Sequence, residues 1–388
     1  MDISVFFKPI DIDWQENLVD EDDTYMGNVI RQYSDTFPSL EEVKIAIIGV
    51  PEDRGSKINK GSVEAPDIIR KKLYRLKQGN FKLTIVDLGN INPGATLQDT
   101  YAALAGILVD LIKAGIMPVI LGGSQDLAFA QYSAYQKLEQ TVNIVNIDSH
   151  FDLGTTIDEI NSNTYLGKII LNKPNYLFNY SNIGYQSYFV GHEAVEFMNK
   201  LYFDVYRLGQ VRANIEETEP IVRNADIVLF DIASVRQADA PGNRNSSPNG
   251  FSGEEICQII RYAGISDKLS SIGFYEINPR FDINDQTSHL VAQAIWYFLE
   301  GFYHRKKDQP GGNKKHFLRY RVNVKNTDHE IVFYKSKKSD RWWMEVPCQD
   351  HQTRYQRHNL VPCSYQDYLT ALNEELPERW WQAFQKLN

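Results

Sequence analysis

Cysteine is scarce in this chain: 3 of 388 residues, an odd number. That excludes a disulfide-stapled secreted scaffold and fits reduced thiols in a reducing compartment. Long apolar runs are missing as well. No stretch approaches the roughly 18 apolar residues that cross a bilayer, and the start, Met1-Asp2-Ile3-Ser4, lacks the basic and apolar regions of a signal peptide. A cytoplasmic protein with no membrane contact is expected. Positive charge is in deficit: 41 Lys and Arg stand against 50 Asp and Glu, a net charge of −9. Phosphate contacts need a basic face, so nucleic acid is not expected as a partner. The length and a 43% hydrophobic content suffice for one large core plus a smaller unit, because single cores stop growing near about 250 to 300 residues.

What the chain does have is a set of apolar runs that end in acids. Val142-Asn143-Ile144-Val145-Asn146-Ile147 reads as a buried strand, and Asp148-Ser149-His150-Phe151-Asp152 follows it. In a parallel sheet, residues just past a strand's carboxyl end face the ligand crevice. Alternation along an extended backbone puts Asp148, His150 and Asp152 on one side, which offers O and N atoms to a hard or borderline divalent cation. The competing reading is a solvated turn. Two more segments have the same build. Val119-Ile120-Leu121-Gly122-Gly123-Ser124-Gln125-Asp126 is a strand and a Gly-Gly turn into a helix, and Ile227-Val228-Leu229-Phe230-Asp231-Ile232-Ala233-Ser234 is a buried strand ending in an acid.

Together these segments resemble the ureohydrolases, the arginase, agmatinase and formimidoylglutamase superfamily. That family carries Gly-Gly-Asp-His, Asp-x-His-x-Asp and Phe-Asp-x-Asp at three strand ends. The resemblance runs from about residue 44 to about 303 and includes Gly273-Phe274-Tyr275-Glu276-Ile277-Asn278-Pro279, similar to a Glu-Val-Asn-Pro strand end. Asp239-Ala240-Pro241-Gly242 and Ser247-Pro248-Asn249-Gly250-Phe251-Ser252-Gly253 look most like the formimidoylglutamase branch. The resemblance implies two manganese ions, or another divalent pair, that lower the pKa of a bridging water for attack on an amidine or guanidine carbon. It also implies that Glu276 is a catalytic residue that receives the substrate's cationic head, that Asn163 and Glu276 bind substrate, and that the molecule is a homo-oligomer.

Two positions depart from the pattern. Gln125 stands where the family has His, and Ala233 stands where it has the second Asp of the third motif. Carried over residue by residue, the surviving metal ligands are Asp148, His150, Asp152 and Asp231. The first ion would keep Asp148, Asp152 and Asp231, with a neutral amide at Gln125; the second would keep Asp148, His150 and Asp231. The expectation is at most one ion in the core, or none, with weak or absent hydrolysis and a binding or scaffold role for a small cationic amidine or guanidine ligand or a protein partner. An active C–N hydrolase is the alternative. The loop Ile160-Asn161-Ser162-Asn163-Thr164-Tyr165-Leu166-Gly167 has no histidine where arginases shuttle protons, which formimidoylglutamases share.

Electrostatics leaves three outcomes open. Asp148, Asp152, Asp231 and Glu276 crowd one crevice, and neighbouring carboxylates cannot all ionise without a cation. One divalent ion, protonated acids, or a positively charged ligand or partner side chain would each satisfy them.

Strands are expected at 44–50, 83–87, 117–121, 142–148, 187–190, 204–207, 226–232 and 269–275. Alternating with helices, they predict a three-layer αβα fold around a parallel sheet of about eight strands. Ser252 and Glu255 form a capping box for a helix over Ile256, Ile259, Ile260 and Ala263, and a second apolar stripe runs from Val291 to Phe302. Arg54, Lys57 and Lys60, in the loop after the first strand, read as solvated charges or as groups for an anionic substrate end. The expected organisation is an N-terminal segment 1–43 on the core, an arginase-like domain 44–303, a basic linker 304–329 and a C-terminal α+β extension 330–388. The extension holds a hairpin through 330–346, a capped helix from Ser364 and four of six tryptophans, so a packed unit is expected. Its Cys348, His351, His358 and Cys363 offer zinc-type atoms, but their spacings miss the usual finger signatures and read as ordinary histidines and thiols.

Overall fold

The computed structural model describes every residue except 1, 17, 19–22, 155–158, 312–313, 325–329, 349–354 and 388. The main sheet contains β1 (Phe7–Lys8), β2 (Arg31–Gln32), β3 (Ile45–Gly49), β4 (Ile85–Ile91), β5 (Met117–Leu121), β6 (Val142–Ile147), β7 (Leu177–Tyr185), β8 (Asp204–Arg207), β9 (Ile227–Asp231) and β10 (Ser271–Tyr275). Their order is β1-β4-β3-β5-β10-β9-β6-β7-β8, with β2 also on β4. Every pairing is parallel except β1 on β4.

The central strands are buried on both faces, as continuous apolar runs require. Alternation shows it directly. Ile45, Ile47, Val119, Leu121, Val145 and Ile147 join one core with helices Ala65–Tyr74, Gly253–Ile265 and Gln286–Tyr303. Ala46, Ile48, Ile120 and Ile144 join the other, against helices Leu97–Lys113, Leu127–Lys137 and Tyr165–Leu171. The expected three layers follow from this period of two. The Ser252–Glu255 capping box is made, with Glu255 N–H donating to Ser252 Oγ at 3.2 Å and Ser252 N–H to the Glu255 carboxylate at 2.7 Å.

One strand assignment needs correction. The strand expected at 187–190 lies earlier, at Leu177–Tyr185, and 187–190 is a turn. Asn179, Ser181 and Asn182 interrupt the apolar pattern of β7, and Asn179 and Ser181 bond instead to the Asp204 carboxylate. The edge pieces β1 and β2, two residues each, are too short to leave a periodic signal.

Beyond the main sheet, β11 (Phe317–Asn323), β12 (Glu330–Ser336), β13 (Trp342–Glu345) and β14 (Leu360–Cys363) form an antiparallel sheet in sequence order. The hairpin of β12 and β13 appears, with Lys335 opposite Trp342. The stretch expected as a linker supplies β11, whose exposed Arg319 and Arg321 made it read as charged connection. The unit docks on the core. Arg223 donates to the carbonyls of Trp342 and Cys363 and lies 4.3 Å from the Trp343 ring, Arg357 pairs with Asp226 at 2.6 Å, and Arg379 pairs with Glu217 at 2.7 Å. His351 lies outside the described residues. His358 stacks on Phe178 and bonds Thr141, Cys348 contacts the Leu387 carbonyl, and no set of three or more ligating side chains arranged for a metal occurs among the described residues.

Candidate functional site

The carboxyl ends of four adjacent strands, β5, β10, β9 and β6, deliver Gln125, Glu276, Asp231 and Asp148 to one place. The chain reaches it through a tight crossing after β5, where a Cβ on Gly123 would sit 1.9 Å from the Glu52 carbonyl oxygen. Glycine is required there by contact. Asp152 and Glu276 both adopt the left-handed backbone region, φ 52° and 64°, which L residues hold only where the surroundings over-determine it.

Asp148, His150, Asp152, Ser162, Asn163, Asp231, Ala233, Asn243, Asn245, Glu276 and Ile58 line a cavity of about 50 Å³. The structure thus brings Asp148, Asp152, Asp231, Glu276, His150 and Asn163 to one cavity, and Gln125 is not on its lining. The route differs from the expected extended backbone: Asp148 to Asp152 leave β6 through a bend. A cleft of about 700 Å³ lies elsewhere, between the helices beginning at Gly253 and Gln286. It mixes both charge signs with amides and gathers no convergent acids.

The hydrogen bonds fix each group. Asp148 accepts from His150 N–H at 3.0 Å and from Asn146 Nδ2 at 3.1 Å, one bond on each oxygen. His150 Nδ1 is 2.9 Å from Ser149 Oγ, and its ring stacks on Phe189. Asp231 accepts from Ala233 N–H at 2.7 Å. The Glu276 carboxylate accepts from Gln125 N–H at 2.9 Å and Asn59 Nδ2 at 2.8 Å, while Asn243 Nδ2 holds the Glu276 carbonyl.

Acidic groups are concentrated with no Lys or Arg in the lining. Burial is the largest cause that raises Asp152 and Asp231 well above the usual carboxyl range; Asp148, Asp231 and Glu276 add to it for Asp152, and Asp148 and Glu276 for Asp231. Burial likewise pushes Glu276 up to about 7, against the lowering effect of its bonds from Asn59 and Gln125. Such a site stabilises a cation or shared protons.

Two positions bear on how an ion could be held. Ala233 has no side-chain donor, and Gln125 turns its amide nitrogen to Asn146 at 3.0 Å and Tyr165 at 3.1 Å. Among the described residues no group of three or more His, Cys, Asp or Glu is arranged to grip an ion.

Sequence reasoning missed Asn59, Asn146, Tyr165, Asn243 and Asn245. Asn146 was hidden inside an apolar run, and Asn59 in a loop read for its cations. Those cations are exposed, as solvated charges are. Arg54 pairs with Glu52 at 2.5 Å and bonds the carbonyls of Gly94, Ala95 and Thr96, and Lys60 contacts the Asp53 carbonyl. Neither lines the cavity; Lys57 is exposed.

Residues 43–300 match the arginase family. A formimidoylglutamase of Staphylococcus haemolyticus is 29% identical over 272 residues, covering 67% of this chain and 86% of that protein. Formimidoylglutamase from Bacillus subtilis superposes with a TM-score of 0.67 at 20% identity, covering 75% of this chain and 96% of its own. A Trypanosoma cruzi formiminoglutamase solved with Mn²⁺ superposes with a TM-score of 0.66 at 21% identity, covering 73% and 100%. These likenesses show a shared fold.

Proposed function

The chain belongs to the arginase family, and on that premise we propose that it is a formimidoylglutamase-like protein that keeps the pocket but not two-ion hydrolysis. It binds a small cationic amidine or guanidine ligand. The observation that carries this reading is the pair Gln125 and Ala233, which removes a ligand from each ion position at once while leaving Asp148, Asp152, Asp231 and Glu276 around one cavity with no Lys or Arg in its lining. At most one divalent ion binds in the core. Asp148, Asp152, Asp231 and His150 are the residues that would hold it, and such an ion would supply Lewis-acid polarisation.

The residues' own chemistry suits binding. Glu276, held by Asn59 and the Gln125 amide, presents an anchored carboxyl to a planar cation, for which paired N–H···O bonds give orientation. Asn163 and Asn245, on the cavity lining, offer neutral amides to the ligand's remaining polar atoms. Localisation in the cytoplasm and a homo-oligomeric state belong to the same proposal; no described helix is long and apolar enough to cross a membrane.

The second reading, an active metal-dependent hydrolase of amidines or guanidines, is favoured by one observation: every surviving family acid lines the same cavity. The test compares wild type with Asp148→Ala for release of ammonia, formamide or urea from formimidoylglutamate, arginine and agmatine in excess manganese. No difference is expected. Calorimetry with the same compounds is expected to show binding that Glu276→Gln weakens at least about tenfold, as loss of a charge-assisted pair predicts. Multiple turnover that vanishes in Asp148→Ala would establish the hydrolase instead.

A further inference from the structure

We propose that a neutral hydrogen-bond relay, Tyr165–Gln125–Asn146, stands in for a metal ion behind Asp148 and holds that carboxylate in place with no ion bound, which makes Gln125 a positioning residue. This rests on the reading above and goes beyond it, from at most one ion to none.

The direction of the relay follows from its anchored end. Asn146 donates its Nδ2 to an Asp148 carboxyl oxygen at 3.1 Å. Asn146 Oδ1 therefore faces the other way. That oxygen requires a donor, and the Gln125 Nε2 group supplies one at 3.0 Å while reaching Tyr165 Oη at 3.1 Å. The Gln125 amide orientation is thus dictated by its neighbours. An imidazole or carboxylate here would offer a lone pair to a cation; the glutamine commits its amide nitrogen to Asn146 and Tyr165.

The rest of the relay is built for permanence. Gln125, Asn146 and Tyr165 are fully buried, and Gln125 also fixes Glu276 through its backbone N–H at 2.9 Å. One residue therefore sets two of the site's acids. With Asn146 Nδ2 on one Asp148 oxygen and His150 N–H on the other, Asp148 has neutral donors where an ion would otherwise draw charge. Gln125 Oε1 is buried without a partner. That atom is the one a cation would have to claim, so metal titration decides the matter.

Metal content and thermal melting of the full chain test the relay. Wild type should carry no stoichiometric metal, and its melting temperature should agree within about 1 °C in EDTA and in manganese, because a ligand that does not bind the native state cannot shift it. Gln125→Leu, which drops the amide, should melt lower in both conditions, and calorimetry with agmatine should show weaker binding. Gln125→His should melt lower in EDTA and recover with manganese, since an imidazole restores a nitrogen ligand beside three carboxylates. A glutamine that merely fills the core would give no manganese rescue in the His variant, and that result overturns the proposal. So does a wild-type melting temperature that rises by about 5 °C or more with manganese. One tight ion without turnover removes the relay and leaves the binding function standing; two ions with turnover remove both.

Discussion

Residue 233 is one of the two positions, with 125, at which the proposed loss of two-ion chemistry can be tested by substitution. Ala233 lines the cavity and its backbone already donates to Asp231, so an aspartate there would enter the same space. Joined with a histidine at 125, it would complete both shells. We expect the Gln125→His, Ala233→Asp double variant to bind two manganese ions per chain where wild type binds at most one, read by metal analysis after dialysis. Turnover need not follow, because reacting groups placed even about 1 Å off lose much of their rate. Another residue-scale expectation concerns Gly123. Its Cβ would collide with backbone, which cannot swing away as a side chain could, so Gly123→Ala should cost more than about 2 kcal/mol of stability, seen as a lowered denaturation midpoint.

Among the elements, the seam between the main sheet and the C-terminal sheet carries a pH sensitivity of its own. His358 is 3% exposed and stacks on Phe178 at a 3.9 Å centroid separation, and its Nε2 is 3.0 Å from Thr141 Oγ1. Burial, followed by the charges of Lys268, Arg357 and Lys386, holds it well below its ordinary value of 6.5. A depressed folded pKa means the unfolded chain binds the extra proton first as pH falls. The stability linked to His358 is therefore present above pH 6.5 and is lost progressively below it. Between pH 7.5 and pH 5, chemical denaturation should show wild type losing stability relative to His358→Gln; an unchanged difference between the two proteins would assign the pH dependence to other groups, such as Glu276. Legibility in the sequence also divides by element. β5, β6, β9 and β10 were readable because burial on both faces demands mostly apolar runs, and the acids after β6, β9 and β10 followed. β7 was not, since Asn179 and Ser181 answer to Asp204 across the sheet, a partner no local window contains. The Asn59–Glu276 and Gln125–Asn146–Tyr165 bonds were hidden for the same reason: Asn59 and Glu276 are 217 positions apart.

At the scale of the whole molecule, the C-terminal unit is bound into the core by charge as well as by apolar packing, and this decides what truncation should do. Trp342, Trp343 and Trp380 are 7%, 2% and 0% exposed, while Trp381 is 44% exposed and contributes less to the covered surface than its position in the sequence suggests. Removing residues from Glu330 onward would strip β12 from β11 and leave Phe317–Asn323 as an unpaired edge, a template for pairing with another chain. It would also leave Asp226 without Arg357, and Glu217 without Arg379. Asp226 would still have Lys268 at 3.7 Å, but the apolar surface around Phe178 would be uncovered. The truncated chain should therefore aggregate or change its oligomeric state, measured by light scattering coupled to size exclusion. A truncation ending before Phe317 separates the causes. If edge pairing drives the association, removing β11 as well should restore solubility; if exposed apolar surface drives it, the shorter chain should aggregate equally. A truncated chain of unchanged mass in solution and unchanged melting temperature would instead establish the extension as an independent module, whose contacts with Asp226 and Glu217 contribute nothing to holding the core together.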